Sequence, residues 1–199
     1  MVINYATREI DFKVVYCGAG QSGKTTNLEW IHSRCRPEQR GNLMSLETSA
    51  ERTLYFDFLP SDLGMLDGFE TRLRLCTIPG PIRSDAARKL LHGVDGVCFV
   101  VDSQRARLEA NLERLANRRE ALAARGCDLG QLPHVFQYNK RDLPGAMPVA
   151  ELDARLDRDG APSFEAEAVR GVGVFETLHE LGRTIVTLHR GASDRALAS

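Results

Sequence analysis

The 199-residue chain reads as an α/β domain: a doubly wound, mostly parallel sheet with one antiparallel strand and helices on both faces. Three observations predict it. Short apolar, β-branched runs alternate with stretches of helical period, the order that builds a parallel sheet with crossover helices. Gly96–Asp102, GVCFVVD, is a near-continuous apolar run of the sort buried on both faces of such a sheet. Leu54–Leu59 and Thr71–Ile78 instead alternate apolar and polar residues across a connection containing Pro, Ser, Asp and Gly, the pattern of an antiparallel hairpin. In an open α/β sheet the ligand binds beyond the carboxyl ends of the strands.

Taken in order, Val2–Tyr5 predicts a short extra strand and Ala6–Ile10 a turn into the central strand, Phe12–Cys17. Gly18–Gly23 is too rich in glycine for helix or strand, and a helix opens at Lys24, with Leu28, Trp30 and Ile31 inward and its end near Arg34. Pro37 and Gly41 break the polar run that follows. Asn42–Thr53 shows no sustained period and is expected to be a loop able to fold over a ligand. Pro79-Gly80-Pro81 must end the second hairpin strand, and Ala86–Leu91 predicts a short helix. Ser103–Ala124 carries Leu108, Leu112, Leu115 and Leu122 on one stripe of a long amphipathic helix. Its charges from Glu113 to Glu120 interleave in sign at helical spacing, the mark of a solvated face. His134–Asn139 is a strand, Pro148–Leu156 a short helix, Ser163–Ala168 the last strand, and a helix from Val174 with Leu178, Leu181, Ile185 and Leu188 closes the fold. Residues 1–190 therefore form one domain, and small, polar Gly191–Ser199 is expected to be a flexible tail.

The 26 basic and 27 acidic residues nearly cancel, which excludes an overall field drawing the chain to nucleic acid or anionic lipid. A hydrophobic fraction of 43% with 27% charged is ordinary for a globular protein. No apolar run is long enough to span a bilayer, and MVINYATREIDFK lacks the flanks of a signal peptide, so a cytoplasmic protein is expected. The 5 cysteines are odd in number and scattered, with no C-x-x-C pair. Cys17, Cys76 and Cys98 fall in strand-like runs, where cysteine serves as a small buried hydrophobe.

The glycine-rich stretch carries the chemistry. Gly18-Ala19-Gly20-Gln21-Ser22-Gly23-Lys24-Thr25 fits G-x-x-x-x-G-K-[ST], a loop whose backbone N–H groups curl around phosphates at the positive end of the next helix. Lys24 would reach the terminal phosphates, the Thr25 hydroxyl would hold Mg2+, and Thr26 continues the phosphate-binding run. A glycine turn that merely precedes a Lys-Thr pair is the plain alternative, but the strand before and the helix after are the context that the mechanism demands. The second signal is Asn139-Lys140-Arg141-Asp142 at the end of a strand. The Asp142 carboxylate can accept from the guanine N1–H and exocyclic amine, a donor pair that adenine lacks. Asn139 can bond the N7 edge, and Lys140 can lie along the ring. Alone, this tetrapeptide would be as well explained by a charged turn.

Downstream of a phosphate loop in an α/β pattern, it resembles the guanine-specificity box N-K-x-D of Ras-like small GTPases. The chain is similar, over nearly its whole length, to the bacterial MglA-like polarity GTPases. The resemblance rests on both nucleotide motifs, on Lys24–Leu28, Glu51–Pro60, Thr77–Gly80, Arg88-Lys89 and Gly93–Gly96, and on Asn139–Pro144 and Gly173–Leu178. It implies a Ras-like P-loop fold, GTP/GDP and Mg2+ as ligands, slow GTP hydrolysis, and a switch that sets polarity in motile cells. It also implies a roadblock/LC7-type partner of the MglB kind that stimulates hydrolysis, and downstream motility or polarity effectors. Arg52 would be an intrinsic arginine finger, or else a solvent-facing residue beside a strand. Thr53 would complete the Mg2+ shell in the GTP state, and Gly80 would give its N–H to the γ-phosphate. The fifth box would fall at Glu165-Ala166-Glu167, with the Ala166 N–H facing the guanine O6.

Two residues depart from the wider group. Thr77 replaces the aspartate of D-x-x-G, as in MglA-like proteins, so Mg2+ would be held there through water or more weakly. Pro81 stands where the glutamine that orients the attacking water belongs, and proline offers no side-chain amide for that task. Gln21, Arg83 and Ser84 are the candidates to replace it, none favoured by spacing. Three functions follow: a GTP-dependent switch with slow or partner-assisted hydrolysis, a guanine-nucleotide-binding scaffold deficient in hydrolysis because of Pro81, and an adenine-specific P-loop kinase, with which Asp142 conflicts. No cysteine box ends the sequence and no glycine follows Met1, so any membrane localisation is expected to come through partners.

Overall fold

A computed structural model of the chain describes residues 1–47, 52–60, 63–78, 91–124, 126 and 129–197, with side chains described for all of these but 46, 47, 52, 53 and 191–197. The strands are β1 (Val2–Asn4), β2 (Glu9–Cys17), β3 (Met44–Glu47), β4 (Arg52–Phe58), β5 (Met65–Leu66), β6 (Phe69–Thr77), β7 (Gly96–Asp102), β8 (His134–Asn139) and β9 (Ser163–Glu165). The helices are α1 (Lys24–Arg34), α2 (Leu108–Ala123), α3 (Val149–Arg155) and α4 (Val174–Leu197).

The sheet runs in the order β3-β4-β6-β2-β7-β8-β9, with β1 on β2 and β5 on β6. From β6 to β9 the neighbours are parallel. β4 runs antiparallel to β6, Tyr55 opposite Cys76 and Phe58 opposite Leu73, as the alternation of the two segments predicts.

Because side chains alternate across a strand, β2 feeds two cores. Phe12, Val14 and Tyr16 join Leu28 and Ile31 of α1 and Leu178, Leu181 and Ile185 of α4. Val15 and Cys17 point the other way, to Leu108, Leu115 and Leu122 of α2 and Leu152 of α3. Each fully buried side chain of this size contributes about 1.5–3 kcal/mol of hydrophobic stabilisation, so both faces hold the sheet rigid beneath the loops at its carboxyl edge. At the opposite edge, Glu9 and Asp11 on β2 pair with Arg72 and Arg74 on β6, and Arg74 reaches Asp57 on β4. Among the described residues no helix is long and apolar enough to cross a membrane.

The structure departs from the sequence reading in several places. Within Asn42–Thr53, expected as a loop, Met44–Glu47 form an edge strand antiparallel to β4. Met44 and Ser45, neighbours on opposite faces of this edge strand, are both exposed, so the strand opens without the apolar alternation that marks a half-buried one. The helix read from Ser103 starts with a 3-10 turn at Arg105–Arg107 and becomes α-helical at Leu108. On α2 the charged stretch is not wholly solvated: Arg118 is 1% exposed, as closed off as the leucines beside it. β9 stops at Glu165, and α4 continues through Leu197. The short helix expected at Ala86–Leu91 lies outside the described residues except for Leu91, which is in a turn.

Candidate functional site

Three adjacent parallel strands, β2, β7 and β8, end on the same side of the sheet. Cys17 ends β2 and hands the chain to the glycine-rich loop, Asp102 ends β7, and Asn139 ends β8. The loop passes so close to its neighbours that two positions exclude any side chain. At Gly18 (φ 147°) a Cβ would overlap the carbonyl oxygen of Val100 on β7, and at Gly23 (φ 103°) it would overlap the Asn139 side-chain amide. Gly20 faces open space, nothing lying within 4 Å of where its Cβ would be.

Lys24, the first residue of α1, is buried, and its ammonium donates to the carbonyl oxygens of Gly18 (3.1 Å) and Ala19 (2.7 Å). Those bonds hold the cation within the curl of the loop. The Ser22 N–H closes the loop's own turn onto the Ala19 carbonyl at 3.2 Å, and Gln21 sits at φ 63°, uncommon for a residue with a side chain. Thr25 and Thr26, both half-buried, follow in the first turn of α1. Burial pushes the Cys17 thiol up to about 11 despite the opposing influence of Arg118 and Lys24. The thiol behind the loop is therefore neutral and part of the core rather than a nucleophile.

Asn139 ties the loop to the far side of the site. Its Nδ2 donates to Ser22 O at 2.8 Å, and its Oδ1 accepts from the Ala168 N–H at 2.9 Å. A second buried set lies below. Asn27 Nδ2 donates to Gly23 O at 2.9 Å, and Gln137 Nε2 donates to Asn27 Oδ1 at 3.0 Å and Thr177 Oγ1 at 3.3 Å. These bonds brace α1 against β8 and α4. Sequence reasoning gave Asn27, Gln137 and Thr177 no role of their own, although Asn27 and Thr177 lie in stretches that carry the family resemblance, because the partners they bond are distant in sequence.

Lys140 adopts φ 66°, the left-handed conformation that a side chain disfavours, and its ammonium donates to Asp102 Oδ2 at 2.6 Å. Asp142 is exposed on the turn that follows. Arg141 is anchored away from it, its backbone N–H on Ala166 O and its guanidinium on Glu165 and Met147 O.

The Ala166 N–H does not face an open site as expected: it is donated to Tyr138 O at 2.8 Å, extending the β8–β9 ladder by one bond. The amide next to Asn139 is that of Ala168, two residues on. The turn 167–173 then packs against α1 so tightly that a Cβ on Gly171 would overlap the Trp30 indole, over whose ring the Arg34 guanidinium lies 4.6 Å from the centre.

Arg52 and Thr53 begin β4, opposite Glu47 and Leu46 of β3. Their side chains lie outside the described residues, as do Gly80, Pro81, Arg83 and Ser84 altogether. Thr77 is buried at the end of β6, and its hydroxyl accepts the Leu54 N–H at 2.8 Å, stitching β4 to β6.

A phosphate loop between the first central strand and α1, in a sheet of this order with an antiparallel hairpin at one side, defines a P-loop α/β domain of the Ras-like type. No protein-family model matches the chain. It is 52% identical over 186 residues to the Mutual gliding-motility protein MglA of Myxococcus xanthus (strain DK1622), a match covering 93% of this chain and 95% of that protein. The chain belongs to the MglA family of small GTPases.

Proposed function

We propose that the protein is a guanine-nucleotide switch of cell polarity and gliding motility. It binds GTP and GDP with Mg2+, alternates between two shapes, and hydrolyses GTP slowly or under the stimulus of a partner. The observation that carries this reading is the Asn139 bridge, which links the loop suited to phosphates, through Ser22, to the segments suited to the base, through Ala168.

On the phosphate side, Gly18, Ala19, Gly20, Gln21 and Gly23 offer backbone N–H groups, Ser22 shapes the curl through its own N–H on the Ala19 carbonyl, and Lys24, Thr25 and Thr26 follow at the positive end of α1. A curl too tight for side chains at Gly18 and Gly23, with the Lys24 ammonium inside it, fits a di- or triphosphate and its metal. Thr25 and, in the GTP state, Thr53 would hold Mg2+, which neutralises charge on the β- and γ-phosphoryl oxygens. On the base side, Asp142 accepts from the guanine N1–H and amine, Asn139 meets the N7 edge, and Lys140 lies along the ring. Arg52 acts as an arginine finger in cis, and Gly80 gives its N–H to the γ-phosphate. Ala168 frames the base side through its N–H on Asn139, the Ala166 N–H being engaged on Tyr138. A roadblock-type activator of the MglB kind and motility or polarity effectors are the partners.

Pro81 supports a second reading, a scaffold that holds guanine nucleotide without turnover, because the glutamine that would orient water is missing from that position. Chromatography of the nucleotide carried by the purified protein, followed over time with Mg2+, separates the two. GTP converted to GDP over successive turnovers with an activator present, and lost on Arg52→Ala, supports the switch. GTP intact for days under every condition supports the scaffold. A chain that emerges empty and shows no calorimetric response to GTP or GDP overturns both.

A further inference from the structure

Asp102 belongs to neither nucleotide motif, yet it sits between them. It ends β7, the strand flanked by β2 with the phosphate loop and by β8 with Asn139–Asp142. Its side chain is 1% exposed. A carboxylate so enclosed must be paired, and here two cations from opposite sides of the site share it. Lys140 Nζ donates to Oδ2 at 2.6 Å, and Arg107 Nε lies 3.8 Å from the same oxygen. Arg107 in turn donates from Nη2 to the carbonyl oxygen of Gly20, at 2.7 Å, in the middle of the phosphate loop. Gln104 fixes the carboxylate from below, its backbone N–H and side-chain amide each 3.1 Å from Oδ1. Lys140 is held thus in a left-handed backbone conformation that side chains disfavour, a local strain that needs an opposing contact.

We infer that Asp102 is a positioning residue that locks base-side Lys140 and phosphate-side Arg107 into one unit, so that retention of a guanosine diphosphate depends on its negative charge. The inference rests on the guanine-nucleotide reading of the site and adds residues that neither motif contains. Asparagine at this position keeps the shape and the bond to the Gln104 N–H but releases both cations. Lys140 then loses its anchor, and the Gly20 segment of the loop loses the tether that Arg107 provides.

The test is the rate at which N-methylanthraniloyl-GDP leaves the full chain in Mg2+ when chased with GDP, with guanine-over-adenine preference as a second readout. Asp102→Asn should speed release by about tenfold or more, the worth of a charge-assisted bond, and Arg107→Ala by a smaller factor. Guanine preference should be unchanged because Asp142 is untouched. A merely structural aspartate would act equally in any background, whereas a positioning one acts through its cations. In the Arg107→Ala/Lys140→Ala chain no cation is left to act through, so Asp102→Asn should no longer speed release and should at most relieve the carboxylate left unpaired. Release within about twofold of the unaltered chain for both Asp102→Asn and Arg107→Ala, or an undiminished effect in the doubly altered background, overturns the inference. If Asp102→Asn does not fold, the cycle of Arg107→Ala with Lys140→Ala decides: their effects should be less than additive, and additivity overturns the proposal. Failure of the unaltered chain to bind the labelled GDP at all is a different result, which overturns the nucleotide reading and this inference with it.

Discussion

Replacing Asn139 by alanine removes a side chain that is 2% exposed and leaves two buried groups without partners, the Ser22 carbonyl and the Ala168 N–H. A buried polar group stripped of its partner costs about 1–3 kcal/mol. The two together set a range of about 2–6 kcal/mol, reduced where water follows the lost amide in from the open side of the loop. Loss of about 3 kcal/mol is expected, against a total stability of about 5–15 kcal/mol for a domain of ordinary size. The variant should therefore remain folded at room temperature with a clearly lower urea midpoint. The same substitution cuts the link between loop and base side, so GDP release should also accelerate, by more than the drop in global stability explains. Urea unfolding without nucleotide and release of a fluorescent GDP measure the two effects separately. A stability loss under about 1 kcal/mol together with unchanged release would show that water substitutes for both bonds, and the bridge would then carry no argument about function.

Gly23→Ala introduces a Cβ against the Asn139 amide at a φ of 103°. It should cost about 2–4 kcal/mol and weaken GDP binding, as read by urea midpoint and calorimetry; tolerance of alanine would contradict the close passage of loop and β8. Asp142→Asn should move nucleotide preference from guanosine toward xanthosine diphosphate in a competition titration, and unchanged preference would remove Asp142 from the base site. Stability should fall as pH rises from about 9 to about 11. Burial raises the Cys17 and Cys76 thiols from 9.0 to about 11, so over that window the unfolded chain loses protons that the folded chain keeps. Urea midpoints flat across the window would refute this, and Cys17→Ala should shrink the slope.

Much of the fold was legible because its signals are local and repeated. β7 is apolar along its whole length as both of its faces are covered, and the Phe12–Cys17 run supplies both cores by alternation. The phosphate loop was legible for a different reason: Gly18 and Gly23 stand where backbone from β7 and a side chain from β8 leave no space, so composition records a tertiary constraint. What stayed hidden depends on partners distant in sequence. Arg118 reads as one more charge on a mixed-sign helix, and only the packing of α2 buries it. The phase of the fifth box was ambiguous because Glu165-Ala166-Glu167-Ala168 repeats every two residues. The β8–β9 register consumes the Ala166 amide and brings Ala168 to Asn139. Asp102 and Arg107 meet through a strand end and a 3-10 turn, and no spacing rule connects either to Gly20.

The chain has a single tryptophan, and folding has set it against both a guanidinium and the turn that follows β9. Any shift of that turn as the pocket fills alters the surroundings of the indole, giving the protein a native optical gauge of its own occupancy, readable without a label and in real time.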